Sequence, residues 1–447
     1  MGAPNKRVLP LPVVTQLVNA TPFPDASFMK LAASGEFHDV VLLSASCRLD
    51  GAQWQLMSTH RAAIAGDEYW NEADALASSL KRPGDYVVFK PATDVYVTGA
   101  AYAPDQAPRA EWGVALRVGA NATGVGQQLE RIHFTKLLHV TGPRYWKQGA
   151  LGWSLSKPEA AARVPLSYEF AYGGWWRDPH NADADEALHQ HGSNPSGSGV
   201  MAPSWAADAA AQGNTPQPPR YAPGGPIAGP QIGFPGDTLD TANTNQKPAG
   251  LGPIARHWEP RVKWAGTYSA KHLADGVKRG YSSYPPNFDP RYFQDAPTDQ
   301  QISPYLRGDE WIDLIGLLKS GQSVRTRLPG FAIRVKLRDV DNVEHDAAMP
   351  LDTVHIDTDP AKGSGSGEPV ELHMSWRISI PHSRKIKHVT LWRESLSDAP
   401  LQPAPGYTQI PSAAQPSAAE RLKAWQQWRT EAERDGSYPQ KRDEVRL

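Results

Sequence analysis

Cysteine is nearly absent: Cys47 is the single one in 447 residues. That excludes an internal disulfide, a cysteine-based zinc or iron–sulfur site and a CxxC redox pair, and it suits a reducing compartment. An excess of charge of either sign is also missing. Lys plus Arg number 46 against 47 Asp plus Glu, so no global field draws nucleic acid or an anionic membrane. No apolar run approaches the length of a membrane span. Near the start, Val8, Leu9, Leu11, Val13 and Val14 are interrupted by Pro10 and Pro12, which leaves no continuous apolar core for a secretory signal. Lys6 stands where a myristoylation signal needs Ser or Thr. A soluble cytoplasmic protein is expected.

Common catalytic signatures are missing as well. Without any Gly-Lys dipeptide there is no P-loop to cradle phosphate. No G-x-S-x-G nucleophile elbow occurs, since the GSGSG run at 363–367 places Gly365 where the serine should stand, and there is no HExxH. Neither a nucleotide nor a metal cofactor is expected.

Glycine and proline are plentiful, with 38 and 41 residues, about 18% of the chain against a usual sum of about 12%. Many turns and few long helices follow. Short β-branched and aromatic runs punctuated by Gly and Pro predict a mainly β protein, with β-sandwich-like sheets, long Pro/Gly-rich loops and a short C-terminal helix. Five stretches are distinguished: a leader at 1–36, a β-rich region at 37–176, a long loop insertion at 177–253, a second β-rich region at 254–395, and a Pro-rich linker with an amphipathic helix at 396–447. Within the first β-rich region the run from Phe37 to Arg61 predicts a hairpin turning at Asp50-Gly51. A helix of modest length is predicted in SAKHLADGVKR, where Leu273 and Val277 are four apart. Ser417 to Glu420 form a capping box ahead of RLKAWQQWRTEAER.

Three clusters could carry chemistry. Asp178, His180, Asp183, Asp185, Glu186, His189 and His191 crowd one polar stretch; imidazole and carboxylate together can bind zinc or manganese, but the spacing fits no named site, and a solvated acidic loop is favoured. DVDNVEHD at 339–346 begins like a calcium loop but lacks the glycine and the closing glutamate. Asp289, Asp295, Asp299, Asp309 and Glu310, set among 15 tryptophans, leave open a carbohydrate-active or metal-dependent hydrolase, because sugar sites pair carboxylates with aromatic platforms; turn carboxylates capping backbone amides are the simpler reading. His133 and His139 read as satisfied core histidines.

The strongest pattern is an interleaving of aromatics and arginines: Arg256, Trp258, Arg261, Trp264, Tyr268, Arg279, Tyr284, Phe288, Arg291, Tyr292 and Phe293. Aromatic residues and arginine are enriched at interface hot spots, although about half of these rings are expected to fill a β-core. Arg256, Trp258, Arg261, Trp264, Tyr268, Tyr284, Phe288, Arg291 and Tyr292 are the candidate partner-binding residues, with Tyr284 and Phe288 foremost because they flank Pro285-Pro286.

The ordered motifs KPATDVYVTGAAYAP, VTGPRYWKQG, VPLSYEFAYGG, NPSGSG, RVKWAGTYS, YPPNFDPRYFQDAPTDQ, YLRGDEWIDLIGL and RLPG, running from about Phe37 to Gly330, resemble the accessory or adaptor family of the bacterial type VI secretion system. The resemblance implies a cytoplasmic, non-enzymatic chaperone. Such a protein loads a toxic effector, often one with a proline-alanine-alanine-arginine repeat tip domain, onto the trimeric valine-glycine repeat spike. It implies no catalytic residues; the balanced charge and the lack of a spanning run already argue against nucleic acid and membrane as partners.

Overall fold

Alternation decides the first long strand. In Phe37–Asp50, Val41, Leu43, Ala45, Cys47 and Leu49 enter the main hydrophobic core, while Leu42, Ser44, Ser46 and Arg48 take the other phase, as a period of two requires. The predicted hairpin is present: Asp50 pairs with Gln53 of the Gln53–Leu56 strand, and Gly51 turns the chain at φ +59°, where a side chain would be strained.

The protein is described here from a computed structural model, for residues 12–124, 127–149, 152–177, 188–200, 227–239, 246–279, 283–360 and 370–396. Among the described residues it is mainly β, with several sheets and no closed barrel. The largest sheet has the spatial order Asp25–Leu31, Phe37–Asp50, Glu371–Pro381, Leu351–Asp357, Thr93–Thr98, Gln301–Ile302, with Gln53–Leu56 paired onto Phe37–Asp50 off that path. All its pairs are antiparallel except Leu351–Asp357 with Thr93–Thr98. A five-stranded antiparallel sheet is built on the long hairpin of Glu111–Gly124 and Gln127–Thr141, extended on one side by Trp311–Ile315 and Val324–Arg327 and on the other by Ile232–Gly233. A four-stranded sheet centres on Phe331–Asp339 and Ile386–Ser395. Apolar residues from all three, such as Leu43, Leu116 and Val335, meet in one core, the sandwich-like arrangement expected from the alternating runs.

The boundaries drawn from composition do not separate structural units. The two β-rich regions share the largest sheet, since strands from 37–98 lie beside strands from 351–381. The leader is not free of the fold: Gln16–Asn19 pairs in parallel with Ile386–Ser395, Asp25–Leu31 pairs with Phe37–Asp50, and Val13 and Val14 donate their N–H groups to Asp39 Oδ2 at 2.8 and 2.9 Å. Strand pairs distant in sequence carry no compositional mark.

Helices are few. Among the described residues the α-helices are Glu259–Val262 and Ala270–Arg279, the second matching the predicted one. Ser269 caps it, its Oγ accepting from His272 N at 3.1 Å. The GSGSG run and the C-terminal linker and helix lie outside the described residues.

Candidate functional site

The aromatic and arginine band divides into an inner and an outer part. Trp258 is fully buried and Phe288 nearly so. Phe288 packs with Val87, Val88, Phe89 and Phe293 in a small satellite core, so its assignment to the surface is corrected. Arg261 is also interior: it donates to the carbonyls of Ile254 at 2.7 Å and Tyr292 at 2.9 Å, and its Nη1 lies 2.8 Å from Asp295 Oδ1. Arg256 is tied to Asp67 at 3.0 Å. Tyr284 is half-buried against Phe288, with ring centroids 4.1 Å apart. An aromatic residue's pattern in sequence cannot tell a core ring from a surface one.

Trp264, Tyr268, Arg291 and Tyr292 form the outer part. The Arg291 guanidinium sits 3.4 Å from the centroid of the Trp264 ring, and Lys263 Nζ approaches the same ring at 5.3 Å. Asp289 holds Arg291 there, accepting from its Nε at 3.1 Å and its Nη2 at 2.7 Å; such a bidentate fork fixes the guanidinium plane. Two cations on one indole form a preordered cation–π ledge. Gly266, at φ +75°, lets the turn close: a Cβ there would lie 2.6 Å from Pro285 Cγ and 2.9 Å from Phe288 N. The two loops are then joined by Asp289 N to Trp264 O and Thr267 N to Asn287 Oδ1, each 2.9 Å. Beyond Ser269 the Ala270–Arg279 helix exposes Leu273 and Val277, the latter 83% accessible. Residues four apart share a helix face, and Val262 is exposed as well.

A second constellation escaped the sequence analysis altogether. On the far face of the largest sheet, Ser46, His373, His355 and Tyr96 lie directly opposite one another across four strands. Flanking rows add Thr353 and Asp94 on one side, and Glu371, Asp357 and Thr98 on the other. Alternation would put this phase in water, yet Ser46, Tyr96, His355 and His373 are buried. His373 Nδ1 meets Ser46 Oγ at 2.9 Å, His355 Nε2 meets Thr98 Oγ1 at 2.7 Å, and Arg61 N donates to Ser46 Oγ at 3.0 Å. Burial, and then the nearby Arg61, hold His355 well below the usual imidazole range and His373 down to about 2.

At one end of that face lies a buried ionic group. Lys90 Nζ donates to Asp295 Oδ2 at 2.6 Å, Asp94 Oδ2 at 2.9 Å and Thr353 Oγ1 at 3.0 Å, which uses all three ammonium hydrogens. Asp94 also accepts from Gln294 Nε2 and from the N–H groups of Asp295 and Ala296. Burial disfavours a charged Asp295, but Lys90 and Arg261 outweigh it and hold the carboxyl below its ordinary range. This network ties the 289–296 segment, and through Asp289 the ledge, to the central strands.

The other candidates fare differently. Asp289 and Asp295 have the partners given above, Asp299 pairs with Lys136 at 2.9 Å, and Glu310 accepts from the N–H groups of Arg307 and Gly308. Asp309 lines one cavity and Glu310 another, so these two do not face each other across a shared cleft. In DVDNVEHD, Asp339 Oδ1 accepts from Asp341 N and Val343 N, and Asn342 turns at φ +63°, so the segment is a tight hairpin turn. Asp178, His180, Asp183, Asp185 and Glu186 lie outside the described residues. His191 is buried with Nε2 donating to Gln246 O at 2.7 Å and Nδ1 accepting from Asn194 N, which leaves no nitrogen for a metal. His139 lies 3.3 Å from Glu111. His133 is not satisfied: its Nε2 is buried without a hydrogen-bond partner.

Nothing matches the chain among curated proteins or among solved structures. A family described as uncharacterized proteins conserved in bacteria (DUF2169) matches residues 34–364, a span that includes the polar sheet face up to Asp357, the ionic network and the ledge. The chain belongs to this bacterial family.

Proposed function

We propose that this protein is a non-enzymatic cytoplasmic adaptor that holds a type VI secretion effector and helps load it onto the valine-glycine repeat spike. The link to secretion rests on the eight ordered motifs between Phe37 and Gly330, which fall within the family match. The observation that carries the binding role is the ledge at Trp264. It is a partly exposed indole clamped by Arg291 at 3.4 Å, beside a helix that presents Leu273 and Val277 to solvent. A ring already fixed in place loses little freedom on docking, and a few such anchors supply most of an interface's energy. Adaptor action needs differential binding: the effector is held when free and released when the spike offers better contacts. No cofactor enters that scheme.

Co-expression tests the proposal. With an effector carrying a proline-alanine-alanine-arginine repeat domain from the same cell, the wild-type chain should yield a soluble complex on size exclusion, and Trp264→Ala should lower its yield without lowering that of the adaptor. An effector equally soluble alone, with no co-eluting complex, would count against the role.

A further inference from the structure

His133 is the extra residue of a β-bulge. Its neighbours Ile132 and Phe134 pair with Gly119 and Val118, and His133 itself is left without a cross-strand partner. Bulges re-aim a side chain out of the regular ladder and are over-represented beside functional sites. Here the imidazole lines a cavity of about 290 Å³ between the five-stranded sheet, the four-stranded sheet and the 302–310 segment. The volume is near the lower end of the ~300–1,000 Å³ typical of small-molecule sites.

The walls have two characters. The lining includes Arg131, His133 and Arg307, the last also 3.8 Å from Asp309, together with the buried Ile302, Met349 and Leu351. Arg131 is exposed and makes no ion pair among the described residues. Glu310 also lines the cavity, but both its oxygens accept backbone N–H groups, so its charge is already engaged. Burial, and then nearby Arg131, disfavour the imidazolium of His133, and the neutral ring can offer its Nε2 as an N–H donor. Guanidinium groups pair with planar carboxylates through two parallel hydrogen bonds, and the apolar lining suits an aliphatic chain attached to one.

We infer that this cavity binds an aliphatic carboxylate, its head group held by Arg131, His133 and Arg307 and its tail lying on Ile302, Met349 and Leu351. The chemistry is shared by a free short-chain acid and by the C-terminal leucine-like residue of another polypeptide. The site is separate from the Trp264 ledge and does not depend on the adaptor role.

Calorimetric titration of the full chain with hexanoate, N-acetyl-leucine, hexanamide and inorganic phosphate tests it. At least one of the two carboxylates should bind saturably and about tenfold or more tighter than hexanamide, a difference of about 1.4 kcal/mol. Hexanoate alone would identify a free acid as ligand, and N-acetyl-leucine alone a chain terminus. Arg131→Gln, at an exposed position, should keep the melting temperature and weaken the carboxylate about tenfold; His133→Gln should weaken it too. The inference is overturned by no saturation with either acid up to about 10 mM, beyond even a ~1 mM affinity. Equal binding of hexanamide, phosphate binding as tight as the acids, or full affinity in Arg131→Gln would overturn it equally.

Discussion

His355 and His373 face each other across paired strands with ring centroids 5.5 Å apart, both buried and both neutral in the fold. In the unfolded chain each protonates near its ordinary pKa of about 6.5. Below that pH the unfolded state therefore binds more protons than the folded one, and stability must fall as the solution is acidified. Burial lowers His38, His60, His191 and His257 in the same direction. Denaturant midpoints between about pH 7.5 and 5.5 should drop, with up to about 1.4 kcal/mol per pH unit for each excess proton. His373→Gln should flatten the slope. A midpoint independent of pH across that window would contradict the neutral, buried assignment.

The ionic group around Lys90 makes a second prediction. Lys90→Met leaves Asp94 and Asp295 buried with their shared cation removed, and breaking a buried pair from one side costs about 3–5 kcal/mol. Urea unfolding should register a loss of that order, even though Arg261 still faces Asp295. A loss under about 1 kcal/mol, the scale of an exposed pair, would mean that water reaches the site.

Core and ledge can be told apart by two substitutions. Phe288→Ala removes a buried ring from the satellite core and should cost about 3–5 kcal/mol. Trp264→Ala, on the partly exposed ledge, should cost no more than about 1 kcal/mol. Thermal melts of the two variants side by side decide the matter, and a Phe288→Ala protein as stable as wild type would return that ring to the surface.

These contrasts show where the amino-acid sequence is legible and where it is not. Alternation in FHDVVLLSASCRLD marked a strand, and Asp50-Gly51 marked its turn, because both signals are local. The Ala270–Arg279 helix was legible from Leu273 and Val277 for the same reason. Both of those residues point to water. In DTVHIDTD and VELHMSWRISI the polar phase looks like an ordinary solvent-facing one. It is buried because the 57–61 segment, Lys90 and residues 294–296 fold over it, contacts separated by as many as 263 residues. One local clue was available: apart from Glu371, that phase carries His355, His373, Ser375 and Arg377 rather than the Lys and Glu usual on an exposed face. His133 gave no sign at all, since a bulge depends on the register of its partner strand.

The central claim is that Trp264, held by Arg291, anchors a partner. The most direct measurement is the dissociation constant of the purified effector for wild type and for Trp264→Ala, with folding of both checked by their melting temperatures. An anchor of this kind should cost about 2 kcal/mol or more on truncation, so the variant should bind roughly thirtyfold more weakly at an unchanged melting temperature. Equal affinity of the two proteins for the effector would contradict the account.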